Sequence, residues 1–179
     1  MPDEPTRLRS EPRAERPEVP EGYGMPTGDE GMLDWVWAEA QLTKSSNYWF
    51  ATVRPDGRPH SSPVWGIWLD GVLYFDGSPE TRRMRNIAAN PEVAVHLESG
   101  DEVIILEGTA GQVGPPPDRA LTERLAAAYT EKYRAHSYAP EPNSWDGGGL
   151  FAMRPRKALG WTFREGEEFG KTYTRWRFR

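Results

Sequence analysis

Residues 48–91 read YWFATVRPDGRPHSSPVWGIWLDGVLYFDGSPETRRMRNIAANP, and the fold turns on how this stretch is read. Tyr48–Arg54 is a β-rich run, and Pro55-Asp56-Gly57-Arg58 has the chemistry of a tight turn. His60–Leu69 reads as a second strand, Asp70-Gly71 as a hairpin turn, and Val72–Asp76 as a third strand. Ser78 then stands where a helix cap belongs, with Pro79 at the first helical position. Thr81, Arg82, Arg83 and Arg85 follow at once. Arginine in a first helical turn is unfavourable against the helix dipole unless an anion sits there. Two hairpins that deliver a helix start and several guanidinium groups to one place therefore predict an anion site, best filled by a phosphate.

The flanks fit a small β-rich protein. Asp29–Thr43 carries Met32, Leu33, Val36, Trp37 and Ala40 at helical spacing, so a helix is expected to pack across one opening of a barrel. Val93–Glu98 and Glu102–Val113 read as strands, with Gly108 and Gly111 predicting a bend or bulge in the longer one. Gly114-Pro115-Pro116-Pro117 ends the sheet and Asp118–His136 reads as a second helix. Leu150–Arg154, Ala158–Phe163 and Thr172–Phe178 complete the strands. Strands joined mostly by short turns, with helices inserted rather than alternating, predict an antiparallel barrel.

Residues 1–28 are rich in Pro, Glu and Arg and nearly empty of large apolar side chains, so a mobile arm is expected there and the folded domain over 29–179. The net charge of −5 argues against a nucleic-acid binder, whose phosphate contacts need a basic surface. The absence of cysteine removes disulfides, thiolate nucleophiles and Cys-ligated metals. No apolar run is long enough for a membrane span and the first thirty residues hold no signal-type apolar core, so a cytoplasmic protein is expected. Arginine outnumbers lysine heavily, since Lys44, Lys132, Lys157 and Lys171 are the only lysines; with much Gly, Pro and Ala this resembles GC-rich codon usage.

The candidate chemistry is narrow. Pro63 lies inside a strand pattern and cannot donate a ladder bond, which predicts an edge or bulged strand with free backbone groups for a flat heterocycle. Trp49, Trp65, Trp68, Trp145 and Trp161 could line a pocket for a planar ligand, although tryptophans alternating in strands more often serve the core. His60, His96 and His136 are too scattered for a metal motif, so no metal is expected. On a helical wheel Thr81, Met84, Ile87 and Ala88 share the core side, with Arg82, Arg85 and Asn86 largely opposite. No acid, base or nucleophile stands out, so catalysis would rest with a bound cofactor.

ATVRPDGRPHSSPVW, DGVLYFDG, TRRMRNIAANPEVAV and the EGTA of the next strand, in this order and spacing, resemble the split β-barrel flavin-binding superfamily. That group surrounds pyridoxamine 5′-phosphate oxidase and its deazaflavin-dependent relatives. FAMRPRKALGW and the ending TRWRF extend the likeness more weakly, over about residues 44–179. The resemblance implies a mainly β, six-stranded antiparallel split barrel and a homodimer with two cofactor sites at its interface. It implies that Thr81, Arg82 and Arg83 grip the cofactor phosphate, and that the ring lies along Ser61, Ser62, Pro63, Val64 and Trp65. Phe75, Asp76 and Gly77 would line the ribityl chain, with Trp161 contributed by the opposite subunit. The expected cofactor is FMN or the deazaflavin coenzyme F-420, serving hydride transfer to or from a small unsaturated substrate. A non-catalytic flavin- or haem-binding dimer is the alternative. The pyridoxal-phosphate-binding residues of true pyridoxamine phosphate oxidases are not recognisable, and Asp76 beside an anion site must point away or bond a hydroxyl.

Overall fold

A computed structural model of the chain describes residues 11–20, 22–23, 25–166, 168 and 170–179. In chain order it contains β1 (Arg13–Glu15), α1 (Trp35–Lys44), β2 (Tyr48–Val53), β3 (Pro59–Val64), β4 (Gly66–Leu69), β5 (Val72–Asp76), α2 (Arg82–Ala89), β6 (Glu92–His96), β7 (Glu102–Gln112), α3 (Arg119–Lys132), β8 (Leu150–Thr162) and β9 (Thr174–Arg177). A short 3-10 turn, Arg134–His136, follows α3. All strand pairs are antiparallel and form one sheet in the order β1-β9-β8-β7-β6-β2-β3, from which β5 branches at β8 and carries β4. Among the described residues the sheet does not close, because β3 pairs only with β2 and β4 only with β5. This is an antiparallel split barrel.

The split falls inside a run that reads as one strand. His60–Leu69 is divided at Trp65 into β3 and β4, which belong to different parts of the sheet. Gly66 permits the crossing, since a Cβ there would lie 2.8 Å from the Tyr74 carbonyl oxygen. Conversely, Leu150–Arg154 and Ala158–Phe163 join into the single long β8, which pairs with β7 along eleven positions from Glu102 to Gln112. Pro155 is tolerated because the register shifts between Glu107 and Gly108, the bulge that Gly108 announces; nothing irregular occurs at Gly111.

β5 is buried on both faces, and its alternation feeds two cores. Leu73 and Phe75 join Tyr48, Phe50, Met84, Leu106 and Trp176 on one side. Val72 and Tyr74 join Leu125, Tyr129, Tyr133 and Trp145 under α3 on the other. α1 buries Trp35, Ala38 and Leu42 at helical spacing, and begins at Trp35 rather than near Asp29. Asp118 caps α3 by accepting the Leu121 N–H at 2.9 Å. Each large side chain so removed from water contributes about 1.5–3 kcal/mol to folding.

The segment expected as a mobile arm holds structure. Arg13–Glu15 pairs with Arg175–Arg177 of β9, and Glu15 bonds both Arg175 and Arg177 at 2.6 Å. Arg16 donates to the carbonyls of Gly28, Glu30, Gly170, Lys171 and Tyr173. Composition misleads here because the anchoring is polar, through backbone acceptors that carry no sequence signature. Residues 1–10, 21 and 24 of that segment lie outside the described residues.

Candidate functional site

The turn between β5 and α2 consumes the groups that were expected to cap the helix. Ser78 Oγ accepts the Glu80 N–H at 3.2 Å, and Ser78 O accepts both the Thr81 N–H and the Thr81 hydroxyl. α2 therefore starts at Arg82 with Thr81 as the capping position, not at Pro79 under Ser78. Thr81 makes no side-chain cap, which leaves the first-turn N–H groups without a side-chain acceptor. Arg82 and Arg83 occupy that first turn with no acidic residue among them.

Arg83 runs beneath the β2–β3 hairpin. Its Nη1 donates to Ser62 Oγ at 2.8 Å, while its Nε is buried without a partner. Burial holds the guanidinium below its ordinary pKa. Arg54, at the end of β2, also has a buried Nε with no partner. Between them sits His60, which burial and then the charges of Arg54, Arg83 and Arg82 hold below the usual imidazole value. Three guanidinium charges thus act in the same direction on one imidazole, each disfavouring its protonated form.

Among the described residues, Arg54, Arg82, Arg83 and Arg85 make no ion pair. The contrast is local: Arg58, on the turn beside Arg54, is paired with Asp56 at 2.7 Å. A cluster of this kind, with buried donors left over, has the chemistry to take an external anion.

α2 is fixed to the sheet from below. Asn86 is fully buried and its Nδ2 donates to Thr52 Oγ1 at 3.0 Å, while Thr52 also bonds the His60 carbonyl at 3.3 Å. A helical wheel puts Asn86 outside, because it scores the residue as polar rather than as a hydrogen-bonding partner for a strand. Arg54 and His60 likewise escape a reading of the sequence as site residues. The Pro55–Arg58 turn, which folds β3 back on β2 so that His60 lies opposite Thr52, two residues from Arg54, is the available signal.

β3 alternates as an edge strand should. His60, Ser62 and Val64 point toward α2 and the core, and the Ser61 and Pro63 side chains are exposed. Among the described residues no strand pairs with its second edge, which leaves the backbone there open to a ligand. Val64 and Phe75 are core side chains, Phe75 lying against Phe50 and Phe151, so only their backbones are on offer to a ligand. Trp65 turns away to stack on Tyr133, with ring centroids 4.8 Å apart. Gly77, at φ 155°, abuts the cluster: a Cβ there would lie 3.3 Å from Met84 Cε and 3.9 Å from Arg83 Nη2. Asp76 points away from the arginines, its Oδ2 accepting the Tyr138 hydroxyl and the Trp145 Nε1–H. Trp161 is not brought to this cluster within one chain; it stacks on Tyr173 at 4.5 Å. Trp49 stacks on His96, and Trp68 packs against Trp35 in the core. Among the described residues no acidic, His or Cys group is arranged to hold a metal, and no helix is long and apolar enough to cross a membrane.

The family model for pyridoxamine 5′-phosphate oxidase matches residues 38–162, which contain β2 through β8 and the whole arginine cluster. The chain belongs to that family. Solved structures agree with this membership. An F-420 reductase is 26% identical, with a TM-score of 0.50, covering 78% of this chain and 98% of that one. A conserved hypothetical protein from Mycobacterium tuberculosis is 20% identical with a TM-score of 0.60, covering 73% and 86%. An FAD-binding protein from Mesorhizobium loti is 18% identical with a TM-score of 0.55, covering 82% and 96%. The last two show the fold alone. No curated protein sequence matches. Within the pyridoxamine 5′-phosphate oxidase family, this member's arginine cluster is drawn from the end of β2 and from α2, beside β3, all inside the matched residues.

Proposed function

We propose that this protein is an oxidoreductase that binds FMN or the deazaflavin coenzyme F-420 and serves hydride transfer to or from a small unsaturated substrate. The observation that carries the reading is the pair of buried, unpartnered Nε atoms of Arg54 and Arg83 beside the uncapped first turn of α2, with no carboxylate paired to Arg54, Arg82 or Arg83 among the described residues. A cofactor phosphate would supply the missing negative charge, take the open N–H groups of the first α2 turn and satisfy the buried guanidinium donors. Ser62 holds Arg83 in place before any ligand arrives, so little side-chain entropy is lost on binding. The open edge of β3 would hydrogen-bond the ring through the backbone of Ser61–Trp65, and the missing N–H of Pro63 leaves one position with an acceptor only. Hydride transfer is the chemistry the bound ring supplies.

The same reading includes a homodimer. Trp49, His96 and Pro63 lie on neighbouring strands of the outer sheet face, opposite one another in the register, and this apolar, aromatic surface ends at the open β3 edge. A second copy laid on it would cover that edge and close the ring site from above. Trp161 would then serve as the partner's contribution.

The test is an absorbance and fluorescence titration of the purified protein with FMN and, separately, with F-420, alongside its mass in solution. Tight binding of one cofactor by a dimer supports the reading and selects the cofactor. Binding of neither rules it out, and tight binding without turnover by any reductant favours a storage or sensing role instead.

A further inference from the structure

The end of β5 carries a second charged feature, opposite in sign to the arginine cluster and separated from it by Gly77. A cleft with a volume of about 560 Å³ opens there, with Asp76, Tyr138, Ser144, Trp145 and Gly149 among its lining residues. The loop that closes one side is pinned to the strand end, since the Gly77 N–H donates to the Gly149 carbonyl at 3.1 Å. Gly149 has φ 87°, a conformation that favours glycine and keeps that wall bare of side chain.

Asp76 is half-buried at the inner end, and both of its protein hydrogen bonds fall on one oxygen. Oδ2 accepts the Tyr138 hydroxyl and the Trp145 Nε1–H, the latter at 3.3 Å. Among the described residues Oδ1 has no hydrogen bond and Asp76 no ion pair. The two donors are themselves held. Tyr138 meets Tyr129 edge-on at 5.6 Å, and Tyr129 packs against Trp145 at 6.0 Å. Burial, and then the bond to Asp76, keep the Tyr138 phenol well above its usual pKa, so it remains a neutral donor.

A carboxylate aimed by two neutral donors, with one oxygen open and aromatic rings on its flanks, matches one ligand chemistry. We propose that this cleft binds a small organic cation with a planar or apolar body, whose N–H groups bond Asp76 Oδ1. The positive charge replaces the counter-ion that the protein does not provide, and the Tyr138 and Trp145 rings add cation–π attraction to the hydrogen bond. The proposal does not rest on the phosphate site, because none of its residues belongs to the arginine cluster; Asp76 and Gly77 are shared with the expected ribityl lining.

Benzamidine, benzamide and benzoate form an isosteric series of charge +1, 0 and −1. Each is titrated into the full chain at low salt, with tryptophan fluorescence and calorimetry as readouts. Benzamidine is expected to bind at least about tenfold more tightly than benzamide, with benzoate weakest, and to weaken as salt is raised. Asp76→Asn keeps an oxygen for Tyr138 and Trp145 but loses the charge, so it should bind benzamidine and benzamide alike. Its thermal midpoint should equal that of the parent, and the titrations contain no cofactor, which separates this result from loss of the fold and from failure of the cofactor site. Tyr138→Phe retains the carboxylate and should keep the benzamidine preference, giving a second reading if Asp76→Asn does not fold. Equal binding of benzamidine and benzamide by the parent, a preference that survives in Asp76→Asn, or no benzamidine binding at all would overturn the proposal.

Discussion

Lys132 gives the sharpest quantitative test of how this chain is put together. The last residue of α3, it donates to Tyr48 Oη at 2.9 Å and to the Gly66 carbonyl at 3.1 Å, and its ammonium lies 5.0 Å from the centre of the Tyr48 ring. Among the described residues no carboxylate pairs with it, and burial lowers its pKa from 10.5 to about 8. Between pH 8 and 10.5 the unfolded chain keeps this proton and the folded chain releases it, so stability rises with pH across that window. From pH 7 to 9 the linkage amounts to about 1.4 kcal/mol for this one group, less what partial exposure screens. Above pH 10 the trend reverses: burial raises the Tyr48 phenol, and Tyr133 to about 12, so the unfolded chain loses protons that the folded chain keeps. Lys132→Met removes the rise while Tyr48 still donates to Leu42 O; the single Tyr133 hydroxyl hydrogen is shared between Ser46 O at 2.7 Å and Gly66 O at 3.0 Å, so Gly66 O keeps a partial donor. Urea unfolding followed by tryptophan fluorescence at pH 7, 8 and 9 is the assay. The parent should gain about 1 kcal/mol over that range and the Met variant should stay flat, at least as stable as the parent at pH 7. A parent profile that is flat or falling, or a variant that keeps the rise, would refute the assignment of a charged, unpaired Lys132 to this site.

Other substitutions test separate parts of the structure. Arg82→Ala combined with Arg83→Ala should weaken FMN or F-420 binding by at least about a hundredfold, at about 1.5–3 kcal/mol for each charge-assisted hydrogen bond removed, with the thermal midpoint little changed; undiminished affinity in a titration would remove the phosphate site. Gly108→Ala places a Cβ 2.1 Å from the Arg154 carbonyl oxygen, against backbone that cannot step aside, and should cost at least about 1–3 kcal/mol in urea unfolding. Arg16→Ala strips the hydrogen bonds that tie residue 16 to five carbonyls; amide exchange at residues 13–16 should accelerate roughly tenfold or more, while β7 and β8 remain protected.

What could be read from the sequence was the part governed by local periodicity and turn chemistry. The Tyr48–Asp76 hairpins, the first-turn arginines and the bulge at Gly108 all follow from residue types within a few positions of one another. What could not be read depends on partners far along the chain. The break at Trp65 exists because Gly66 must pass against Tyr74, and because Lys132 and Tyr133, some 66 residues on, hold its backbone. Asn86 reads as solvent-facing until Thr52 supplies its partner. The placement of Arg13–Glu15 needs β9, at the opposite end of the chain. The site divides the same way: Arg82 and Arg83 are legible as a motif, whereas Arg54 and His60 enter it through the β2–β3 pairing.

The two charged regions at the end of β5 bear on each other. A guanidinium and a carboxylate left in neighbouring positions would ordinarily swing together, since pairing recovers part of what each loses on burial. Here both are held by neutral partners on opposite sides of Gly77: Arg83 by Ser62, and Asp76 by Tyr138 and Trp145. A Cβ at position 77 would enter the space beside Met84 and Arg83, so the bare glycine also keeps the ground between them clear. Holding opposite charges apart leaves interaction energy unused in the folded chain, which becomes available to a ligand that meets either one. Collapse of the pair would neutralise both sites at once. Ser62→Ala, which frees the Arg83 end alone, is therefore expected to weaken cofactor binding and benzamidine binding together, although Ser62 lines only the first site. Loss of one without the other would mean that the two charges do not compete.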